Sequence, residues 1–466
     1  MKRSDESVDM IHGPLAGKII IFALPVALSS MLQQLFNSAD TAVVGRFSDA
    51  NALAAVGTNG EIVALIVSLS AGLSVGANVL AARCIGSGRR DLISSVLHTS
   101  VMIALLTGIL ICVCGQFAAY PLLRAIHASP AIIGRAVLYL RIYLLCVPFL
   151  VLYDFGSAVL RAKGDSRRPF IALAASGLLN ITLNLVFVIA VKMDVAGVAA
   201  ATVISTACSM MLVFYRLSEE DDYFRFSFRK LSINSESAGK VLMIGIPAAL
   251  QGAVFCAANI FVQSAVNSFG AVATAGSAIA VNFEYFSYYL ITSFGQAATT
   301  FTSQNSAAGK TRRCRSICLT SMLCSAVFST LVIVPIVLLR TEAASFFSTD
   351  RNVITVACIR IMCILVFEPL CCLYEIPAGV LRGLGHSLLP SVLTVTGICL
   401  FRIVWICTVF RRIHTYESLF IVFPVSWILT SCMMTAAYII VRRKHGSRCT
   451  RAFCRCHPFL SVFCWP

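Results

Sequence analysis

The segment Gly156-Ser-Ala-Val-Leu-Arg-Ala-Lys-Gly-Asp-Ser-Arg-Arg-Pro169 has an echo in Pro377-Ala-Gly-Val-Leu-Arg-Gly-Leu-Gly-His-Ser-Leu-Leu-Pro390. Leu160, Arg161, Gly164, Ser166 and Pro169 each meet an identical residue 221 positions on, at Leu381, Arg382, Gly385, Ser387 and Pro390. Upstream, the same register pairs Pro148 with Pro369 and Tyr153 with Tyr374. Near the starts of the two halves, Gly17-Lys18, Pro25 and Asn37 match Gly239-Lys240, Pro247 and Asn259 with one residue more. Self-similarity at a fixed period means that one structural unit of roughly 200 residues is used twice.

Composition identifies the solvent of that unit. Of 466 residues, 58% are hydrophobic and 12% charged, and the mean hydropathy is +0.86; soluble domains carry about a quarter charged residues. Apolar stretches of the roughly 20 residues that cross hydrocarbon as a helix run over 17–45, 52–82, 94–119, 136–161, 169–191 and 195–217. They return over 239–268, 273–304, 315–339, 353–381, 390–410 and 418–441. The runs are continuously apolar and lack period-two alternation, which selects helices over lipid-facing strands. The expected fold is an all-α membrane protein with twelve transmembrane helices in two six-helix lobes. The domain reading is a tail over 1–16, a first lobe over 17–217, a linker over 218–238, a second lobe over 239–441 and a basic Cys-rich tail over 442–466.

Six is even, so the second copy enters the membrane from the same side as the first, and the lobes are related by a pseudo-two-fold axis along the membrane normal. Parallel repeats of this kind hold a substrate cavity between the halves, and rocking of one half against the other alternates its access. The repeat therefore points to a transporter before any single residue is consulted.

A net charge of +16 raises the question of nucleic acid, and the placement of the basic residues answers it. Most Lys and Arg fall in the termini and the even-numbered loops, which by the positive-inside rule places both termini and those loops in the cytoplasm. The basic balance is a topology signal with an affinity for lipid headgroups, not a nucleic-acid footprint. Residues 1–16 are polar and of mixed charge, with no apolar core followed by a small-residue cleavage site, so no cleaved signal peptide is expected. Most of the 20 Cys lie in apolar spans, where Cys behaves as a small hydrophobe, and structural disulfides are not expected. Cys449, Cys454, Cys456, His457 and Cys464 crowd the carboxyl terminus, but their spacing fits no common zinc pattern. That segment reads as a basic tail, with lipidation of a tail Cys as a further reading.

An ionisable group in hydrocarbon costs about 2.5–3.5 kcal/mol on insertion scales, so each intramembrane acid is a functional candidate. Asp40 lies about 23 residues, or roughly 35 Å, beyond Gly17 and hence in the outer half of the first span. It is suited to carry a proton or, while ionised, a cation; the structural alternative is a bond to Asn37 one turn earlier. Asn180 and Asn184 are four apart on one face of the fifth span, and Thr202 follows on the sixth. Their oxygens beside Asp40 would make a hard-ligand set for transient Na⁺ at Asp40, Asn180 and Thr202, although Asn and Thr also join transmembrane helices by hydrogen bonding alone.

In the second copy, Glu284 lies among Phe283, Tyr285, Phe286 and Tyr288 and reads as a cavity acid for a cationic, apolar ligand. Glu368 and Glu375 are seven apart. Glu375 is the twin of Asp154, and each stands seven residues before a basic twin, Arg382 or Arg161, so a gating role competes with ion transfer for all three acids. Phe36, Tyr139 and Tyr288 are further candidates for the cavity lining, against the ordinary use of aromatic residues at membrane interfaces. Pro25 and Pro247 are matched candidates for a helix pivot or a static kink. No phosphate loop of the Gly-x-x-x-x-Gly-Lys-Ser/Thr type is present and nothing reads as an enzyme, so an ion gradient is the expected energy source and no cofactor is expected.

Gly13-Pro-Leu15, Leu24-Pro-Val-Ala-Leu28, Gln33-Gln-Leu-Phe-Asn-Ser-Ala-Asp-Thr-Ala-Val-Val-Gly-Arg46, Ala52-Leu-Ala-Ala-Val-Gly57, Gly86-Ser-Gly-Arg-Arg90, the twin Leu-Arg-x-x-Gly motifs and Gly295-Gln-Ala-Ala-Thr-Thr-Phe-Thr-Ser-Gln-Asn305 together resemble the multidrug and toxic compound extrusion (MATE) family of the MOP flippase superfamily. The likeness runs from about residue 14 to 441. It implies two six-helix lobes in a V shape and export of amphipathic, often cationic, compounds against inward H⁺ or Na⁺ across a bacterial inner membrane, by a monomer. It assigns coupling to Asp40 with Asn180, Asn184 and Thr202; Asn184 replaces an acid at that position, which leaves Asp40 as the main titrating group of the lobe. Arg83 replaces a Gln common before the Gly-x-Gly turn. The rival readings are a lipid-linked saccharide flippase of the same superfamily, kept open by Arg402 in the eleventh span, and a membrane receptor or scaffold without transport.

Overall fold

A computed structural model of the chain describes residues 7–126, 129–220 and 223–453. Twelve spans follow one another: α1 (Leu15–Phe47), α2 (Asn51–Gly86), α3 (Arg90–Ala125), α4 (Ile133–Leu144 and Val147–Lys163), α5 (Arg167–Ala190), α6 (Asp194–Ser218), α7 (Ser235–Asn267), α8 (Ala271–Ala307), α9 (Thr311–Leu338), α10 (Arg351–Gly383), α11 (Leu388–Phe410) and α12 (Tyr416–Lys444). They form the two six-helix lobes that the repeat predicts. Eleven of them are apolar enough to cross a membrane by composition alone, counting the bent α4 as one. The twelfth, α8, is long but rich in Ser, Thr, Asn and Gln, and most of its second half is buried inside the protein. Polar groups survive there because protein, not lipid, surrounds them.

The repeat extends to the irregularities. α4 bends by 42° between Leu144 and Val147, beside Pro148. Its counterpart α10 tightens into a 3-10 stretch over Leu365–Cys371, around the twin Pro369. That stretch carries Glu368, and Glu375 follows in the α-helical part beyond it. α1 passes through Pro25 without a break, and the Ser29 hydroxyl donates to the Pro25 carbonyl at 2.8 Å.

α1 belongs to both lobes. Ile19, Phe22, Ala23 and Val26 are buried in a core with Phe294, Phe301 and Tyr374 of the second lobe. Val43 and Val44 are buried in the core of the first. The segment preceding α1 is tied the same way: the Val8 amide donates to Gly164 O at 3.1 Å, while Asn305 Nδ2 and Lys310 Nζ donate to Met10 O and Ile11 O at 3.0 and 3.1 Å.

The hydrogen bonds that join the lobes gather at the membrane side that carries the amino terminus. Thr300 Oγ1 donates to Asn78 Oδ1 at 2.9 Å, Gln304 Nε2 to Ala162 O at 2.7 Å, and Ser303 Oγ to Val79 O at 3.4 Å. Arg83 Nη2 reaches Gly383 O at 3.4 Å, so this unexpected arginine crosses to the second of the twin motifs. At the opposite end of the first lobe, Arg135 bonds Asp49 Oδ1 at 2.5 Å and approaches Asp194 Oδ2 at 3.6 Å. The Ala52 amide and Arg135 hold the Asp49 carboxyl below the usual carboxylate range.

The linker docks on α3. The Ser227 amide donates to His98 Nε2 at 3.2 Å and the Phe226 ring stacks on the His98 ring. The last helix continues from Val422 to Phe453, so the segment read as a tail from 442 begins as a helix. Cys454, Cys456, His457 and Cys464 lie outside the described residues, as does the side chain of Cys449.

α2 and α7 form the closest contact between the lobes, and small residues make it possible. A Cβ on Gly76 would stand 2.0 Å from the Val241 carbonyl oxygen, which is backbone and cannot swing aside. Gly76→Ala is therefore expected to cost about 1–3 kcal/mol and to lower the unfolding midpoint of the purified protein by several degrees. Gly239→Ala, with nothing within 4 Å, is the matched control, and equal midpoints for the two variants would contradict the close approach.

Candidate functional site

Asp40, Asn180, Asn184 and Thr202 come together as the sequence suggests. α5 packs along α1 and α6, and Phe36, one turn before Asp40, fits over Gly177, whose missing side chain leaves room for the ring: a Cβ there would lie 1.7 Å from Phe36 Cε2. This contact sets the height of α1 against α5 and brings Asp40 level with the asparagines. Asn184 Nδ2 donates to Asp40 Oδ1 at 2.5 Å and to Asn180 Oδ1 at 3.2 Å. Asn180 Nδ2 faces Thr202 Oγ1 and Ser205 Oγ, each at 3.4 Å. The Thr202 hydroxyl has two acceptors within reach, Asp40 Oδ2 at 3.3 Å and the Val198 carbonyl at 3.0 Å. Ser205 is the member of this network that sequence reading missed.

The cluster is neutral apart from Asp40, which is 7% exposed and has no basic partner among the described residues. Asn184 Oδ1 is buried without a donor. Tyr139 and Tyr143 of α4 are buried within electrostatic range of the carboxyl, with rings 6.2 Å apart. Tyr139 thus stands behind the cluster as packing, where the sequence reading had it facing a cavity. α5 leaves α geometry directly after Asn184, with a π-helical turn over Val186–Ala190.

The second lobe corrects the reading of Glu284. Its carboxylate is taken by Arg360 in a bidentate pair, Nε to Oε1 at 2.7 Å and Nη2 to Oε2 at 2.8 Å, and Arg360 also bonds Ser277. The Arg360 guanidinium lies 4.8 Å from the Phe420 ring centroid. Glu284 is committed to an internal pair and is not a free acid for a cationic ligand. No spacing could reveal this partner, which lies 76 residues away on α10.

Glu375 does meet the arginine seven residues on, with Arg382 Nη1 at 3.5 Å from Oε1, and Arg382 Nη2 donates to Gln251 Oε1 at 3.0 Å. Its twin Asp154 accepts a hydrogen bond from Ser70 of α2, with Arg161 in electrostatic range. Glu368 is buried near Glu284, and its Oε2 has no donor. Tyr288, half-buried, lies parallel to Phe255 with ring centroids 6.5 Å apart.

One acid escaped the sequence reading. Glu61 is exposed at the first turn of the helix Gly60–Gly86 in α2, within electrostatic range of Tyr285 from α8 across the divide. Tyr285 stacks on Tyr289 at 5.8 Å, and the Tyr289 hydroxyl donates to Gln34 Oε1 of α1 at 3.2 Å. An acid in a first turn reads as a complement to the helix dipole, which is why it drew no notice.

Two six-helix lobes joined in parallel, with buried polar clusters inside each, define a polytopic membrane transporter. The chain belongs to the MATE family: the MatE family model matches residues 25–186 and again 247–407, once in each half. It is 26% identical over 385 residues to the probable multidrug resistance protein YoeA of Bacillus subtilis, covering 81% of this chain and 83% of that one. It is 26% identical over 384 residues to the probable multidrug resistance protein NorM of Thermotoga maritima, covering 81% and 82%. A crystal structure of MATE in the bent conformation superposes with a TM-score of 0.88 over 96% of this chain and 100% of the other, at 21% identity. The family is one of transporters and not of enzymes.

Removing one partner of a buried ion pair leaves the other charge stranded, at a cost of about 3–5 kcal/mol, whereas replacing both by apolar groups is far milder. Glu284→Gln is accordingly expected to destabilise the protein strongly, and the double change Glu284→Gln with Arg360→Met to recover much of the loss in thermal unfolding. Additive losses in the double variant would show that the pair carries no such coupling.

Proposed function

We propose that the protein is a secondary active antiporter that exports amphipathic, mainly cationic, compounds in exchange for inward H⁺ by alternating access. It works as a monomer in a bacterial inner membrane with both termini in the cytoplasm, the side that the basic residues favour. The observation that carries the reading is the burial of Asp40 among neutral amide and hydroxyl partners, with no basic side chain against it among the described residues. Thr202 has one hydroxyl proton, and the Val198 carbonyl at 3.0 Å and Asp40 Oδ2 at 3.3 Å compete for it. The contact between Thr202 Oγ1 and Asp40 Oδ2 therefore serves either protonation state: the hydroxyl donates to an ionised carboxylate, and a protonated carboxyl donates to the hydroxyl while that bonds Val198.

Two further features favour H⁺ over Na⁺. Asn184 turns its N–H group, not its oxygen, to Asp40, so the cluster offers a small cation few oxygen ligands. The unfilled Asn184 Oδ1 is an acceptor ready for a water that accompanies the proton. In its ionised form, Asp40 has only neutral donors to compensate it, which favours the opposite arrangement of α1. α1 is built into both cores, so a change of its bend reaches both lobes. The exposed Glu61 with Tyr285 and Tyr289 supplies charge and aromatic faces for a cationic amphiphile, the role that Glu284 cannot fill. Multidrug relatives fit the same substrate class.

Asp40→Asn keeps the shape and removes the titrating group. In inverted vesicles it is expected to abolish ethidium transport driven by an imposed pH gradient while expression stays at the level of the unmodified protein. Transport by the unmodified protein should follow the pH gradient and ignore a sodium gradient imposed alone. Full gradient-driven transport by the variant would refute the proposal.

A further inference from the structure

Three arginines lie in the interior of the second lobe, and they are not equally served. Arg360 has the bidentate Glu284 pair, Ser277 and an aromatic ring. Arg382 has Glu375 and Gln251. Arg402 is buried as deeply, at 3% exposed, yet no carboxylate lies against it among the described residues. Its Nε donates to Ser426 Oγ at 3.2 Å, and its guanidinium covers the Phe423 ring, 3.9 Å from the centroid. The four N–H bonds of its two terminal nitrogens find no acceptor among the described residues.

A guanidinium is a planar fork whose paired N–H groups match the two oxygens of a carboxylate or phosphate. The charge that is missing at Arg402 is thus one that an incoming anion would supply. Tyr288 and Tyr374 are within its electrostatic reach. Tyr288 is half-buried and within electrostatic range of the Glu375–Arg382 pair as well as of Arg402, and the ring of Phe255 lies parallel to it. A cationic end beside an aromatic wall suits an aromatic anion.

The backbone makes the same point independently. α11 is π-helical over Val395–Leu400 and again over Ile406–Phe410, with regular helix only over Phe401–Trp405 between them. The second of these distortions falls at the repeat position of the π turn in α5, Val186–Ala190. π turns are rare, weaken the helix locally and are found mostly where a side chain must be re-aimed for function. In α5 the π turn follows the α-helical turns that carry Asn180 and Asn184, whose repeat positions are Phe401 and Trp405, in the short helix that holds Arg402. The two lobes hold polar sites at equivalent heights, with an acid in the first and a cation in the second.

We propose that Arg402 is the centre of an anion subsite in the second lobe that holds the carboxylate or phosphate of an amphipathic aromatic compound. The transported class then includes anionic and zwitterionic molecules; this extension rests on the transport function proposed above, but the binding site itself does not.

The test uses carboxyfluorescein as anionic probe and ethidium as cationic probe with the full-length protein in phosphatidylcholine nanodiscs and in inverted vesicles. Carboxyfluorescein is expected to bind the unmodified protein by fluorescence anisotropy. Arg402→Lys should keep most of that binding, and Arg402→Met should lose at least about tenfold, the loss of hydrogen bonds to a charged group. Ethidium transport by Arg402→Met should stay within about twofold of the unmodified protein, because its recognition lies elsewhere. Absence of carboxyfluorescein binding to the unmodified protein overturns the subsite without recourse to any variant. Equal loss of both probes in Arg402→Met overturns it too, since Arg402 would then be structural. If the unmodified protein fails to move ethidium, the antiporter reading falls, and the binding measurement still decides the subsite.

Discussion

A charge inside the bilayer finds no water, so it must meet its partner within the protein. That constraint orders the interior of this transporter. The acids and bases of the second lobe are largely matched in pairs, Glu284 with Arg360 and Glu375 with Arg382. Asp40 of the first lobe is matched only by neutral donors. A pair of opposite charges has one stable protonation state and holds helices in place. An acid among amides and hydroxyls has two states within reach, since neither form is locked by a fixed counter-charge. The paired acids thus differ from Asp40 in the kind of partner each has, and Glu368, buried with one oxygen lacking a donor, is the exception in the second lobe.

The duplication makes this separation visible. Twin positions hold the architecture: Pro148 and Pro369 beside the breaks of α4 and α10, and the Leu-Arg-x-x-Gly motifs at the ends of these spans. Positions that differ between the copies hold the chemistry. Asp40 falls opposite Val262, and Asn180 opposite Phe401. Glu61 and Arg402 have no acidic or basic twin at their repeat positions either, since those are occupied by Phe283 and Ile181.

Much of this was legible in the chain, and what was not has a common cause. Twelve spans, their boundaries to within a few residues and the two lobes follow from apolar length and the repeat, because hydrocarbon thickness admits few solutions. The Asp40 cluster was legible because two of its members sit four apart on one helix. Glu284 was misread because its partner stands on another helix at a distance in sequence that carries no periodic signal. The division of α1 between the lobes was hidden for the same reason: its apolar face is continuous, and composition does not say which helix will cover it. The π turns of α5 and α11 left no sequence signal, being set by how the surrounding helices pack.

That division of α1 bears on how, in the proposed antiport, protonation of Asp40 would reach the second lobe. Coupling between distant sites needs an element with two arrangements that both sites bias. α1 has its first turns sealed among Phe294, Phe301 and Tyr374, the segment before it bonded to both lobes, and its far half aligned on α5 by Phe36 and Gly177. Between these anchors lie Pro25, which removes one helical hydrogen bond, and Gln34, which accepts from Tyr289 of the second lobe. In the antiport proposed above, a change at Asp40, one turn beyond Phe36, would act on the Phe36–Gly177 contact and through it on the stretch back to Pro25. The stretch that yields is the one that touches the aromatic pair beside Glu61. The proposed ion and cation sites would then need no relay of residues between them, because α1 carries Asp40 and also meets Tyr289 through Gln34.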